Sequence, residues 1–266
     1  MAVVAFLPTV GPVSFSPELA LVVGNLTLAP FAQRQKLILK LGGLRKITSS
    51  IYEFSFPKPT GFKFRAGQYL EWMVPHKKSD SRGTRRYFTI VSAPEDAELR
   101  LAFKLPEKAS SYKNAMINLK AGDVVIGSQR SGDFLLPKKV DEKLGFIAGG
   151  IGVTPFVSHV TSIDAKNERR DIATLYCVAT AADMAYSEKL ASAGVLVPVV
   201  GNGEVPEGGE SGFLSADIIT RRVPDYASRT WYISGPPKMV DASYRSLRTL
   251  GVPTRRIHRD FFPGLA

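Results

Sequence analysis

The pattern of hydrophobic residues changes near residue 140, and this change restricts the fold more than any other feature of the sequence. From Lys36 to about Pro137, short apolar or alternating stretches are separated by Gly, Pro and Asp. Six such strands and one helix, "SSYKNAMINL", predict a small antiparallel β-barrel. Beyond it, buried-type strands such as "LGFIAGG" and "TWYISG" alternate with helical stretches. That alternation predicts an α/β domain whose parallel sheet is covered by helices on both faces.

The length of 266 residues fits two domains of ordinary size. We predict a barrel domain at residues 34–140 and a parallel-sheet domain at residues 141–266. Residues 1–33 are apolar, but prolines interrupt them, and neither apolar run reaches the roughly 18 residues of a membrane-spanning helix. Two interpretations stay open for this segment: an arm packed on the domain surface, or the end of a membrane region.

Cysteine and histidine are scarce. Cys177 is the one cysteine of the chain, and the three histidines are scattered. A single thiol cannot form an intramolecular disulfide, a multi-cysteine zinc site or a ferredoxin-type iron–sulfur cluster. We therefore expect no metal site, and we expect any redox chemistry to use an organic cofactor.

The positive charge is unevenly distributed along the chain. The formal net charge is +11; residues 34–150 carry 22 Lys and Arg against 11 Asp and Glu, whereas residues 151–266 carry 13 against 12. The excess therefore lies in the predicted barrel, which suggests an anionic partner of that domain. No Arg/Lys-rich helix and no aromatic RNA-binding motif accompanies it, so we do not expect nucleic acid to be that partner.

Three short segments combine residue types that suit a nucleotide cofactor. "RRYFTIVSAP", residues 85–94, is a strand with arginines at its start and hydroxyls among its hydrophobes. "AGGIGVTPF", residues 148–156, and "ISGPPKMV", residues 233–240, each follow a predicted parallel strand, at the edge where ligands bind in open α/β sheets. Glycines allow close backbone approach, and a helix beginning at Thr154 and Pro155 offers amides to phosphate.

The three segments, in this order on a barrel followed by a parallel sheet, resemble the ferredoxin–NADP⁺ reductase family. "RYFTIVS" resembles its flavin motif, "GGIGVTP" its loop under the nicotinamide nucleotide, and "SGPPKMV" its Cys-Gly-Pro-x-x-Met element, with Ser234 in place of the usual cysteine. Within the family, "GQYLEW", "SRGTRRYFTI" and "DFFPG" are most similar to bacterial reductase modules attached to membrane regions. The resemblance covers about residues 36–266.

The resemblance assigns roles to the residues of the flavin strand. Arg86 matches the arginine that pairs with the FAD pyrophosphate, Phe88 the aromatic that packs on the isoalloxazine ring, and Thr89 the hydroxyl near flavin N5. Tyr87 then points to the other face of the strand. An alternative register makes Arg85 and Tyr87 the functional pair, but it places Phe88 where the hydroxyl belongs.

Two further elements depart from the family pattern. In "KASSYKNAM", Ala109 replaces the usual glycine before a helix start, and an ordinary serine N-cap remains an alternative interpretation. At the C-terminus, Asp260 matches the family's acidic residue near the flavin, and the two phenylalanines after it either cover a ring or pack in a core. The resemblance implies that Thr89, Ser234 and Asp260 are catalytic and that the cofactors contact Arg86, Tyr87, Phe88, Thr89, Ser92, Ser110, Ser111, Gly150, Gly152, Thr154, Pro155, Gly235, Pro236, Met239, Phe261 and Phe262.

These roles imply an FAD-dependent oxidoreductase that takes a hydride from NADH or NADPH and passes electrons to a one-electron acceptor. NADH is favoured because "CVATAAD" and "VGNGEVPEGGE", after the second and third parallel strands, contain no Lys or Arg for a 2′-phosphate. The expected acceptor is an acidic carrier such as a ferredoxin or flavodoxin, or a membrane redox partner. The expected location is the cytoplasm or the cytoplasmic face of the membrane, whose anionic surface is a further candidate partner. The alternative is a non-catalytic basic docking module with vestigial nucleotide loops.

Overall fold

The computed structural model describes residues 36–77 and 79–261, and of Phe261 only the backbone. The apolar segment at residues 1–33 and the predicted ring-covering residue Phe262 therefore lie outside the described residues. Within the described ranges, no helix is both long enough and apolar enough to cross a membrane.

The first part of the described chain is rich in short strands. Its elements are β1 (Leu37–Lys40), β2 (Gly43–Lys46), β3 (Ile51–Pro57), β4 (Tyr69–Met73), β5 (Arg85–Thr89), β6 (Glu98–Lys104), α1 (Ser111–Ile117) and β7 (Val124–Ser131). The strands form two antiparallel sheets, in the orders β1–β7–β4–β5 and β2–β3–β6. Among the residues that the structure describes, β5 is therefore an edge strand of its sheet and pairs with β4 alone.

The interior between the two sheets is filled by alternate residues of the strands. Phe54 and Phe56 on β3, Leu70 and Trp72 on β4, and Leu101 on β6 are almost completely buried in one cluster. Each such side chain contributes roughly 1.5–3 kcal/mol by its removal from water. β2, which the sequence did not predict because "GLRK" has a single large apolar residue, forms by backbone pairing with β3.

The second part alternates strands and helices, as predicted. Its elements are β8 (Leu144–Gly149), α2 (Thr154–Ala165), β9 (Ile172–Val178), α3 (Ser187–Ala191), β10 (Val195–Val200), β11 (Glu210–Ser211), α4 (Ala216–Arg222), β12 (Thr230–Gly235), α5 (Pro237–Thr249) and β13 (Ile257–Phe261). The six strands form one parallel sheet in the order β11–β10–β9–β8–β12–β13. β13 was not predicted, because "IHRDF" is too polar to indicate a strand.

The topology of this sheet defines where a ligand can bind. From β8 the chain proceeds through β9 and β10 to one side, and it then returns to β12 and β13 on the other side. The loops after β8 and β12 therefore leave the sheet in opposite directions, and the crevice between them is a topological switch point. These are the two loops, "GGIGVTP" and "GPPKM", that the sequence analysis singled out.

The two parts share a hydrophobic core. The cluster on one face of the parallel sheet includes Phe146, Tyr176 and Tyr232 together with Ile51 and Val91 from the strand-rich part. The opposite face of the parallel sheet has its own cluster, around Trp231 and Ile233. Val91, just after β5, belongs to the same cluster as Val153 in the loop after β8, so the chain leaving β5 packs on the shared face near the switch point.

Candidate functional site

The two faces of β5 present different residues. Arg86 lies opposite Trp72 and Phe88 opposite Leu70 on β4, so both project on the side of the barrel interior. Tyr87 and Thr89 occupy the other face. A ligand that runs along the free edge of β5 can therefore be contacted from both faces.

Arg86 is held in a defined position. Its Nη1 donates to the carbonyl oxygens of Arg82, Gly83 and Arg85 at 2.7, 3.1 and 2.6 Å. Its guanidinium carbon lies 5.3 Å from the centre of the Tyr112 ring. The Arg86 side chain is 19% exposed, whereas that of Arg85 is 57% exposed and pairs with Glu71 at 3.5 Å. Arg86 is therefore the less exposed of the two cations and the one that lies over the Tyr112 ring of α1.

The start of α1 completes a set of anion-binding donors. The Ser110 hydroxyl accepts a hydrogen bond from the Lys113 amide at 3.3 Å and caps the helix. The Ser111 amide donates to Asp80 Oδ2 at 3.3 Å, and Arg86 Nη2 lies 3.2 Å from Asp80 Oδ1. The Ser111 hydroxyl accepts from the Asp80 amide at 2.9 Å. These donors already surround a carboxylate, and a phosphate group uses the same kinds of donor.

The pKa of Asp80 shows that the surroundings of Arg86 and the start of α1 favour a negative charge. Desolvation raises its pKa, but hydrogen bonds from Arg82 and Ser111 and the charge of Arg86 together lower the pKa below its ordinary value. No role for Asp80 was predicted from the sequence. The feature that could have indicated one is that Asp80 is the one acidic residue in the basic run from Pro75 to Arg86.

The aromatic residues of β5 are only partly covered. Phe88 stacks on Phe103 with ring centroids 5.7 Å apart and lies 5.9 Å from Tyr112. Tyr87 is 42% exposed, meets Tyr69 edge to face at 5.7 Å, and donates from its hydroxyl to Gln129 at 3.2 Å. Burial first and then the charge of Glu71 raise the pKa of Tyr87. Aromatic surface is thus available on both faces of the free edge.

Ser92, unlike Arg86, Tyr87 and Phe88, is completely buried, and it is hydrogen-bonded within the protein. Its hydroxyl accepts from the Arg100 amide at 3.0 Å. Its carbonyl oxygen accepts from the Ser158 hydroxyl of α2 at 2.7 Å. Ser92 therefore holds the turn after β5 and joins it to the parallel-sheet part.

The glycines of the switch point allow its two loops to touch. A Cβ added at Gly152 would lie 2.5 Å from Gly235 Cα and from the Ser234 oxygen, and one at Gly149 would lie 2.4 Å from Met239 Sδ. Gly150 differs: its φ is +51°, and a Cβ there would meet nothing within 4 Å among the described atoms. Gly152 and Gly235 are thus packing positions, whereas Gly150 borders open space that a ligand can enter.

The residues that follow these glycines begin helices. Thr154 and Pro155 open α2, and the Thr154 hydroxyl donates to the Ile151 oxygen at 3.2 Å. Pro236 directly precedes α5, with Met239 in its first turn. Proline at a helix start needs no hydrogen-bond partner for the amide that it lacks. Both loops of the crevice therefore end in rigid helix starts.

Two buried hydroxyls, Thr89 Oγ1 and Ser234 Oγ, have no hydrogen-bond partner in the described structure. They lie near the junction, by which we mean the shared core between the strand-rich part and the parallel sheet. Thr89 lies two residues before Val91, and Ser234 lies two residues after Tyr232; both Val91 and Tyr232 belong to the shared core. The two hydroxyls consequently lie on the faces that meet at the junction. Burial of an unpaired hydroxyl costs about 1–3 kcal/mol, and a ligand that bonds to it removes the cost.

Asp260 lies on the strand next to that of Ser234. On β13 it is in register with Ser234 of β12. Burial first, and then the nearby charge of Asp133, raise the pKa of Asp260 to about 6. Phe261 closes the strand after it. A carboxyl group that titrates close to neutrality, in register with a residue whose hydroxyl is unpaired, can exchange a proton with a bound group.

Comparison with known proteins identifies related domains. Residues 146–245 match the family model described as the oxidoreductase NAD-binding domain. The chain is 29% identical to the NADH oxidoreductase HCR of Escherichia coli strain K12, over 77% of this chain and 62% of that protein. It is also 29% identical to the reductase subunit of an aromatic O-demethylase from an Amycolatopsis species, over 75% of this chain and 61% of that protein. The chain thus spans about three fifths of the length of these relatives.

Solved structures share the fold. The Amycolatopsis cytochrome P450 reductase GcoB superimposes with a TM-score of 0.74 at 25% identity, over 86% of this chain and 70% of that one. A ferredoxin–NADP⁺ reductase from Neisseria gonorrhoeae, solved with FAD and NADP, gives a TM-score of 0.72 at 19% identity, over 85% of this chain and 98% of that one. The predicted resemblance and the predicted fold class, an antiparallel barrel followed by a parallel-sheet domain, are both confirmed.

Proposed function

We propose that this chain is a ferredoxin–NADP⁺ reductase-like FAD- and NAD-binding reductase, which takes a hydride from NAD(P)H onto FAD and passes the electrons on singly. The observation that carries the proposal is the pair of unpaired buried hydroxyls, Thr89 and Ser234, one from each part, at the face where the two parts meet. FAD, when bound, supplies the capacity to accept two electrons as a hydride and release them one at a time.

The residues around β5 fit FAD. Arg86 and the Ser111 amide, which hold the carboxylate of Asp80, would hold the diphosphate, with Ser110 fixing the helix start. Phe88 and Tyr87 offer aromatic surface to the ring system from the two faces of the strand. The Thr89 hydroxyl is available to hydrogen-bond the flavin. In this proposal residues 34–140 form the FAD-binding domain.

The switch point fits the nicotinamide nucleotide, and residues 141–266 form its domain in this proposal. Gly150 leaves space for the coenzyme, while Gly152 and Gly235 keep the two loops in contact. The start of α2 at Thr154 and Pro155 offers amides to phosphate. Pro236 and Met239 support the opposite wall of the crevice, where Ser234 would lie beside the reacting carbon. Crevice walls with fixed positions would hold the nicotinamide and the flavin in the geometry that hydride transfer requires.

The surroundings of the third parallel strand favour NADH over NADPH. Arg221 and Arg222, the nearest candidates to bind a 2′-phosphate, are both paired with Glu210, at 2.7 and 3.4 Å. The hydrogen bond from Arg221 is the first cause that lowers the pKa of Glu210, which stays charged. An anionic phosphate would have to displace this carboxylate. We expect the ratio of kcat/KM values to favour NADH.

The acceptor that we propose is an acidic one-electron carrier, of the ferredoxin or flavodoxin type. Two relatives are named as reductase parts of larger enzymes: the reductase subunit of an aromatic O-demethylase and the reductase component of a propane 2-monooxygenase. The charge excess at residues 34–150 would attract an acidic carrier to the flavin side. An anionic membrane surface, with the chain at the cytoplasmic face of the membrane, is the alternative occupant of this basic side.

The test is to purify the protein, identify its bound flavin and add NADH without oxygen. We expect stoichiometric FAD that loses its yellow colour on addition of NADH and regains it with ferricyanide. Protein that binds no flavin when FAD is supplied would favour the docking-module alternative. Protein that binds FAD but is reduced by neither NADH nor NADPH would contradict the proposed reaction while leaving the cofactor assignment intact.

A further inference from the structure

The segment Thr180–Ser187 connects the coenzyme side of the molecule to the barrel. It begins just beyond the carboxyl end of β9, where open parallel sheets bind their ligands. It contains a 3-10 turn, Ala181–Asp183, and leads into α3. Two of its side chains, Asp183 and Tyr186, bond to strands of the barrel rather than to the crevice.

Asp183 makes the first of these connections. Its Oδ1 lies 2.9 Å from Lys104 Nζ at the end of β6 and accepts from the Ser50 hydroxyl, just before β3, at 3.4 Å. The Thr180 hydroxyl also donates to its Oδ2 at 3.4 Å. The carboxylate of Asp183, in the parallel-sheet part, therefore contacts the barrel at two positions, Ser50 and Lys104.

Tyr186 makes the second connection. Its hydroxyl donates to Oε2 of Glu53 at 2.8 Å. Glu53 lies on the face of β3 opposite to the barrel core, its side chain is 5% exposed, and its Oε1 is paired with Arg45 at 2.9 Å. Glu53 was not predicted from the sequence, although an acid two residues after Ile51, on the same face of an apolar strand, indicates a buried polar contact.

The backbone at Tyr186 is strained. Its φ is +59°, in the left-handed region that a non-glycine residue adopts at a cost in free energy. A glycine would remove that cost, but it would also remove the hydroxyl that donates to Glu53. The strain and the buried hydrogen bond occur in the same residue, and the surrounding structure must hold both in place.

We propose that Tyr186 and Asp183 are positioning residues that set the coenzyme loops against the flavin strand and thereby control the rate of hydride transfer. The inference rests on the proposed function. Apolar packing, as between Ile51, Val91 and Tyr232 in the shared core, is non-directional and fixes the relative position less sharply than hydrogen bonds do. The polar groups of a buried pair keep their hydrogen bonds in one arrangement only. The Asp183–Lys104 and Tyr186–Glu53 contacts therefore specify the position of the parallel-sheet part relative to the barrel.

The test compares Tyr186→Phe with Tyr244→Phe, which removes a hydroxyl from α5 of the same part. Stopped-flow reduction of the FAD-loaded protein by NADH separates the maximal rate from coenzyme affinity. We expect the maximal rate in Tyr186→Phe to fall about tenfold, with FAD content and the NADH dissociation constant unchanged, because a small misplacement of reactants is costly. Tyr244→Phe should match the parent. Hydrogen exchange without coenzyme should be faster at the amides of Asp183 and Met184 in Tyr186→Phe only.

Two further variants keep the inference falsifiable. Lys104→Met removes the ion pair of Asp183 and should also lower the maximal rate, even if Tyr186→Phe does not fold. Glu53→Gln combined with Tyr186→Phe should be no slower than the slower single variant, if the two residues act through one hydrogen bond. Parent-like reduction rates in folded Tyr186→Phe and Lys104→Met, with only a lower melting temperature, would overturn the inference. If the parent itself is not reduced by NADH, the proposed function fails instead.

Discussion

Arg85 and Arg86 are adjacent in β5 but have different surroundings, and this difference predicts different effects on FAD. We expect Arg86→Ala to weaken FAD binding about tenfold or more, because a hydrogen bond to a charged group contributes about 1.5–3 kcal/mol. Arg85→Ala, the matched control, should change it about twofold at most, because Arg85 is mostly exposed and its ion pair is long. Titration of flavin-free protein with FAD measures both. A large loss in Arg85→Ala alone would establish the alternative register.

The raised pKa of Asp260 predicts a pH-dependent stability. Between the ordinary value of 3.8 and the folded value of about 6, the folded protein binds more protons than the unfolded chain. Stability from this residue is therefore full below pH 4 and is lost as the pH rises through 6. Asparagine does not titrate, so Asp260→Asn does not lose stability in this way. The free energy of unfolding of Asp260→Asn minus that of the parent should therefore increase from pH 4 to pH 8, by on the order of 2 kcal/mol.

Urea denaturation of the parent and of Asp260→Asn at both pH values measures this difference. A stability difference between Asp260→Asn and the parent that is the same at pH 4 and pH 8 would show that Asp260 titrates in its ordinary range.

At the scale of the elements, the loops after β8 and β12 are expected to act as one packed unit. Gly152→Ala places a methyl group 2.5 Å from the backbone of the other loop, so the loops must separate. We expect a loss of about 1–3 kcal/mol in stability and a lower kcat/KM for NADH. Gly150→Ala meets open space, and its cost of about 1 kcal/mol comes from the positive φ alone. Melting temperatures and steady-state kinetics measure both. Equal effects of the two substitutions would contradict the separate roles.

The elements also show what the sequence could predict. Strongly periodic segments such as "IYEFSF" and "IATLYCV" indicated β3 and β9, because each strand buries one or both faces. β2 and β13 were missed because their pairing depends on backbone hydrogen bonds to distant strands and not on apolar pattern. The site was predictable where local chemistry marks it, as at Arg86 and Gly150. The Asp80, Glu53 and Tyr186 contacts join residues up to 133 positions apart, which no local pattern reports.

At the scale of the whole molecule, the charge asymmetry predicts salt-dependent docking. Reversal of Lys77, Lys78 and Arg82 to glutamate should slow reduction of an acidic carrier severalfold at low ionic strength, where screening is weak, and leave reduction of FAD by NADH unchanged. The control reverses three exposed residues of the nearly neutral part, Arg169, Arg245 and Arg255. Equal slowing in both triple variants would mean that only net charge matters. Parent-like carrier reduction by the first variant, with unchanged binding to anionic vesicles, would contradict a docking role.

The central claim is that a hydride passes directly from NADH to FAD at the face where the two parts meet. The most direct measurement is anaerobic stopped-flow reduction of the FAD-loaded protein with NADH and with NADH that carries deuterium at C4 of the nicotinamide. The account predicts that the flavin is reduced in one phase that is slower with deuterium on one of the two C4 faces only, because the crevice holds the ring in one orientation. Reduction at the same rate with hydrogen or deuterium on either face, or no reduction at all, would contradict it.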